Sequence, residues 1–410
     1  MIDVLSLFAS GGGGGSSGGG GGAGIIALPI IIVGAIVAWW RRRRQIKKAK
    51  QELAVAESND PTWDNAAERA SQVFTQFQQD WSDFNVPSMK RYLTPRYFEH
   101  VSFMMEALQQ MNRRNKMSFV LLNKATIFNV SDSSTDTQDN FDIEMKASAY
   151  DELIDLVDKT TLFSNDKDFT EVWNFDREGS DWLLDKIKQV DAETAIEKGY
   201  TSKADTQAKE DEASQMQHFA ERNNFYYNAD FGWLLLPTRG ELFTLANFGR
   251  SDINYHVIGK YRDVLVQFYQ YIPVIADKRK LMDYFRALYK PAYRYDTYVI
   301  AQTILPKTYG NIIVKRKGSL GLSFKPSKMT QVSLEGVDFN KDFSVYATDV
   351  EKVTSLELLN PAYMQKLLDI SFAVNIEIVD NVLYLYSTDK QADFDIMLTL
   401  LQNGFEEMKM

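Results

Sequence analysis

The 410-residue sequence has no cysteine, so it holds no disulfide framework, thiol nucleophile or thiolate metal site. That absence fits a reducing compartment. Histidine is scarce, and His100, His218 and His256 lie far apart, which argues against a histidine-rich metal centre. Nucleotide signatures are missing too. The long glycine run is followed by no Lys-Ser/Thr pair, and no glycine fingerprint follows a strand pattern. There is no His-Glu-x-x-His, and none of the three histidines sits in a nucleophile setting. No cofactor and no metal are therefore expected. Basic charge is thin over most of the chain. Residues 1–50 hold seven basic side chains and one acidic one, a net +6, which leaves −15 for the rest of a chain whose total is −9. An acidic body argues against nucleic acid as a partner.

What the sequence does have begins with Gly24–Trp40, "GIIALPIIIVGAIVAWW", an uncharged apolar run of 17 residues. As a helix it spans roughly 25 Å, near the short limit for a bilayer core. Trp39 and Trp40 end it, where amphipathic rings favour the headgroup layer. A secretory signal carries its basic residues before the apolar core. Here they come after, as Arg41, Arg42, Arg43, Arg44, Lys47, Lys48 and Lys50. The run is expected to be a single uncleaved transmembrane helix. The positive-inside rule then puts the glycine-rich residues 1–23 outside and the rest in the cytoplasm. The basic collar reads as a topology signal alone, or as one that also attracts anionic lipid, at about 1 kcal/mol per basic residue near the surface.

Residues 41–59 read as a basic juxtamembrane stem. From Pro61 a new unit begins. Trp63, Ala67, Ala70, Phe74, Phe77, Gln78 and Trp81 recur at helical spacing and predict an amphipathic helix over about 64–84. A second helix is expected over 88–117, restarted by Thr94 as N-cap and Pro95 at the first helical position. The pattern then turns to period two. Strands are expected in 120–132, in 140–155, and in two arms around the turn Arg177–Ser180. Helices followed by antiparallel strands make an α+β unit with helices on one sheet face.

These residues resemble the Tim44-like domain family over about 60–190. The segment Leu93–Tyr97 reads as leucine, threonine, proline, any residue, tyrosine, as in that family. Trp173 is followed by Phe175, and Trp182 opens the last strand, matching the family's late strands. The glycine thread, anchor and collar are also similar to bacterial members. The resemblance implies a cone-shaped α+β fold like nuclear transport factor 2, with a curved sheet around a pocket. It further implies docking on membranes or membrane-bound partners, at a bacterial inner membrane. Phe74, Phe77, Trp81, Tyr92, Tyr97, Phe98, Trp173 and Phe175 are the candidate pocket residues, although most aromatics of these helices are expected in the core. His100 reads as a partly exposed packing residue.

Residues 191–224 are charged and poor in large apolar side chains, and read as a solvated linker with partial helix. Residues 225–410 read as a second α+β domain. A strand pair turns at Gly259–Asp263, and 276–296 is helical or irregular. Strands follow over 295–305, 311–318 and 343–347. A helix starts at Asn360–Pro361, a hairpin turns at Asp380–Asn381, and a helix closes the chain. "LEGVDFNKDFSVYATD", "LLNPAYMQKLLDI" and "NVLYLY" are similar to a bacterial family of unknown function, DUF3137. Asp338, Asp342 and Asp349 read as turn and cap residues. Lys315, Arg316, Lys317, Lys325 and Lys328 read as an exposed tip or a second headgroup contact.

The resulting expectation is a non-enzymatic, membrane-anchored tether or scaffold. Its first domain would bind anionic lipid, a small apolar ligand or a partner polypeptide. An enzyme using the cone pocket and a purely structural interaction module are the alternatives.

Overall fold

The computed structural model describes residues 24–189, 203–227, 232–237, 240, 242–243, 253–271, 297–318, 329–334, 337–348, 359–389 and 391–409, the side chains of 24–39 and 203–211 aside. The expectations for 1–23 and for 276–296 lie outside these residues, as do Asp349, Lys325 and Lys328.

Helix α1 (Gly24–Asn59) is continuous, so the apolar run and the basic stem form one rod of 36 residues, about 54 Å long. Among the described residues no helix is long and apolar enough to cross a membrane, so the structure gives the expected anchor no support. Its second half lies along the first sheet, where Ala49 and Ala56 are sealed and Leu53 packs beside them.

A 3-10 turn (Pro61–Asn65) leads into α2 (Ala66–Asp83). Most of the stripe expected from spacing is buried: Ala70, Phe74, Phe77, Gln78 and Trp81 face the core, whereas Ala67 is exposed, because the buried face of α2 runs through Ala66 and Val73 instead. The second expected helix is two, α3 (Val86–Met89) and α4 (Pro95–Gln110). Thr94 caps α4 by accepting from the Tyr97 N–H at 3.2 Å. Helix α4 stops short of residue 117 because Asn112 takes φ 52° and turns the chain into a strand.

Five antiparallel strands follow: β1 (Arg113–Ser131), β2 (Asn140–Asp155), β3 (Thr161–Asn165), β4 (Phe169–Glu178) and β5 (Asp181–Gln189), in the order β1-β2-β4-β5. β3 was not anticipated; it pairs with Asp151–Ile154 of β2, beyond the stretch that β4 uses. Gly179 supplies the positive φ (65°) of the β4–β5 turn. Phe141, Ile143, Met145 and Ala147 share one face of β2 and meet α2. Trp63 lies 4.4 Å from Trp182 between ring centroids, and Phe74 lies 5.2 Å from Trp173. Arg177 ties the unit's start to its end: it pairs with Asp139 at 2.9 Å and with Asp60.

The stretch expected as a linker carries α5 (Lys203–Arg222), whose last turns bury Met216, Phe219 and Ala220. A mean composition that looked solvated hid three apolar residues at helical spacing. Next come β6 (Tyr226–Tyr227), β7 (Ile253–Tyr261), β8 (Val264–Tyr271), β9 (Tyr298–Ile304), β10 (Ile312–Arg316) and β11 (Thr330–Val332). Helix α6 (Val337–Asp342), β12 (Phe343–Ala347), α7 (Pro361–Leu368), β13 (Asn375–Val379), β14 (Val382–Ser387) and α8 (Phe394–Lys409) complete the chain. The nine strands form one antiparallel sheet, ordered β11-β12-β10-β13-β14-β9-β8-β7-β6. Asn360 caps α7 through the Tyr363 N–H at 2.9 Å, and Asp380 turns the β13–β14 hairpin at φ 56°.

Both faces of this sheet are covered. Helices α5, α7 and α8 seal one with Phe219, Leu367 and Leu401. The first unit packs on the other, and the two units share one hydrophobic core. Every residue of β8 and β14 is consequently buried. Lys260 bridges to Glu106 of α4 at 2.9 Å, and Asn381 donates to the Gln110 carbonyl at 2.9 Å.

Candidate functional site

The first sheet curves around a narrow cleft. Its floor is Phe77, Gln78 and Trp81 of α2; its walls are Asn115 and Met117 of β1, Asp151 of β2, Glu171 of β4 and Gln189 of β5. The polar side chains are chained to aromatic ones. Trp81 Nε1 donates to Asn115 Oδ1 at 2.8 Å, and Asn115 Nδ2 donates to Asp151 Oδ1 at 2.6 Å. Across the cleft, the buried Glu171 carboxylate accepts from Trp173 Nε1 at 3.0 Å and from Gln189 Nε2 at 3.1 Å. The described lining holds no Ser, Thr, Cys, His or Tyr, and its titratable side chains are Asp151, Lys167 and Glu171. No described cluster of three or more His, Asp or Glu side chains is placed to hold a metal ion.

The mouth of this cleft is filled. The segment Gly232–Leu236, "GWLLL", makes a 3-10 turn and is buried throughout. Trp233 enters edge-on to Phe163, 4.8 Å between centroids, and Leu234 joins it in the lining. Gly232 is required by contact: a Cβ there would meet the His256 ring at 2.5 Å. The segment's carbonyls are taken up from both units. Arg113, at the start of β1, donates from Nη1 to Leu234 O at 3.0 Å and Leu236 O at 2.6 Å. Gln302 of β9 donates to Leu235 O at 2.9 Å and is itself positioned by the Tyr269 hydroxyl at 2.7 Å. Burial pulls the Arg113 guanidinium down to about 10, which leaves it charged at neutral pH. With the segment in place about 50 Å³ remains. That holds one or two waters, far below the 300 Å³ or more of an ordinary ligand pocket.

Of the eight candidate pocket residues, Phe77 and Trp81 line the cleft. Phe74, Trp173 and Phe175 sit fully in the core behind it. Tyr92 is buried with its hydroxyl donating to Asp80 at 2.8 Å, and burial with that carboxylate holds its pKa far above the usual phenol value. Tyr97 is buried on α4, and Phe98 packs half-buried against the same core. The collar is outside. Arg41, Arg42, Arg43, Arg44, Lys47, Lys48 and Lys50 are exposed on α1; Arg42 pairs with Glu144 of β2, and Lys48 with Glu52 at 3.1 Å. In the C-terminal group, Arg316 donates to the Ile370 and Phe372 carbonyls and Lys317 to Asn340 O.

His100 is not partly exposed. It is buried in the seam between the units, stacked on Tyr226 at 5.0 Å. Helix α4 faces the second sheet, so a position that would rim an isolated first unit becomes interior. Burial, with His256 and Lys186 nearby, lowers its pKa to about 3. His256 falls to about 4 by burial, which a hydrogen bond with Gln267 partly offsets. Sequence reasoning passed over Arg113, Glu171 and the segment 232–236. The one signal for the last was an apolar tetramer, Trp233–Leu236, held between Gly232 and Pro237.

Residues 297–409 match a family model described as a protein of unknown function, DUF3137, which supports the resemblance drawn for the C-terminal part. No curated protein matches the chain. The intermembrane-space region of the chloroplast protein ARC6 aligns at 17% identity and TM-score 0.25, covering 31% of this chain and 97% of that one. The mycobacterial trehalose monomycolate transport factor A, TtfA, aligns at 11% identity and TM-score 0.32, covering 48% of this chain and 94% of that one.

Proposed function

We propose that the chain is a non-enzymatic tether that holds a partner polypeptide at the cytoplasmic face of a bacterial inner membrane. In this reading 24–40 is the membrane anchor, and 60–190 is a Tim44-like cone. The observation that carries it is α1: one unbroken helix joins the oily run to a body in which Ala49 and Ala56 are sealed. A chain that only needed anchoring could use a loose linker; a rigid joint serves positioning. The exposed basic residues of α1 face the layer where anionic headgroups would lie. Of the three ligand classes weighed, a polypeptide is favoured over a lipid tail or small apolar ligand, because the cleft is filled by a polypeptide segment whose main-chain carbonyls are held by Arg113 and Gln302.

The test is vesicle flotation of the full chain and of a fragment 40–410, which keeps the stem that packs on the body. The full chain floats with vesicles of any composition and survives an alkaline wash. The fragment floats only with anionic vesicles, and less so in high salt. A full chain left at the bottom of the gradient would overturn the anchor and the tether with it.

A further inference from the structure

Resting on the tether reading, we infer that the first unit's cleft is a binding site for apolar peptide segments of the Trp-Leu-Leu type. Gly232–Leu236 of the chain itself is its present occupant, and a partner polypeptide carrying such a segment displaces it. The way the segment is held is a peptide-recognition mode. Arg113 and Gln302 take the main-chain carbonyls of Leu234, Leu235 and Leu236, contacts that any chain in the same conformation can supply. Side-chain selectivity comes from the aromatic slot against Phe163, which takes Trp233. Contact with His256 restricts the residue before the tryptophan to glycine.

The occupant fits imperfectly. The Trp233 indole N–H is buried with no acceptor, although the carboxylates of Asp151 and Glu171 line the same cleft. His100 Nε2, His256 Nδ1 and Gln267 Nε2 are likewise buried without partners along this seam. Protein interiors satisfy the great majority of such groups, so the seam keeps hydrogen-bonding capacity that the resident segment does not use. A segment whose side chains used those acceptors, or filled the leftover space, would compete with the resident one.

The experiment uses the full chain and a fluorescent peptide reproducing residues 232–237, with lysines appended for solubility. A site occupied in cis lowers apparent affinity by the fraction of time it is free. The double variant Trp233→Ala/Leu234→Ala is therefore expected to bind the peptide at least about tenfold tighter than the unaltered chain. A peptide with its tryptophan changed to alanine is expected not to bind. A folded double variant that ignores the peptide would overturn the inference. A second measurement does not depend on that variant. Because the chain has no cysteine, Leu234→Cys gives a single thiol at the plug. Excess peptide is expected to raise its labelling rate several-fold, and an unchanged rate would overturn the inference. Membrane retention is scored separately on the same sample, so loss of the tether and loss of the peptide site are told apart.

Discussion

His100 and His256 are neutral groups in a place where charge is expensive. Their folded values, about 3 and about 4, lie below the ordinary 6.5 of the unfolded chain. Between those limits the unfolded state binds more protons, so the stability they contribute is complete above about pH 6.5 and is lost as the pH falls. Asp176 has the opposite sign. Burial, with Asp185 and Asp142 close by, raises it to about 6, so its contribution is present at low pH and is lost as the pH rises through that value. His100→Phe keeps the stack on Tyr226 and abandons no hydrogen bond of Nε2. In denaturant titrations between pH 6 and pH 5, its stability is expected to depend on pH less steeply than the parent's, by up to about 1.4 kcal/mol per unit. Equal slopes would refute the assignment of a neutral buried imidazole. From sequence, His100 was just another residue on a helix. Burial by a partner more than 120 residues away has no local signature, and the same holds for the carbonyls that Arg113 serves.

At the scale of elements, local rules told most of the story where local chemistry decides. Thr94 with Pro95, Asn360 with Pro361, and Asp380 with Asn381 mark helix starts and a hairpin turn because capping and turn geometry are settled within four residues. Phe74, Phe77 and Trp81 were legible as an inward stripe. Which of them meet core and which meet cleft was not, because the period of a helix specifies direction and says nothing of depth. The strand pair β7–β8 lies where the sequence expects it, but its pattern does not reveal that both faces of the sheet are covered: all eight residues of β8 are buried. The stem half of α1 is the element whose role is easiest to test. Ala56 is fully sealed, so Ala56→Glu places a charge in the joint. Trypsin is expected to cut the 41–50 stretch about tenfold faster in that variant, as the local opening free energy falls by about 1–2 kcal/mol. Cleavage at the parent's rate would mean that the helix is not fastened there.

For the whole molecule, a core shared by both units makes them one cooperative body. Arg113→Met leaves the carbonyls of Leu234 and Leu236 without their donor at the seam. Its expected cost is about 2–3 kcal/mol. Calorimetry of fragment 40–410 is expected to show one transition in the parent and one lowered transition in the variant. Two transitions, with only one displaced, would mean that the units melt independently. The continuity of α1 has a consequence for reach. With 24–40 in a bilayer, the nine rises from Trp40 to Ala49, the first sealed position, would allow a standoff of at most about 14 Å, and the fastening at Ala49 and Ala56, with Arg42 paired to Glu144, would limit any swivel. On the proposed tether reading, such a body would sample a thin shell at one altitude above the lipid, and partners would have to present their segment at that height, which would make distance from the membrane a filter alongside chemistry.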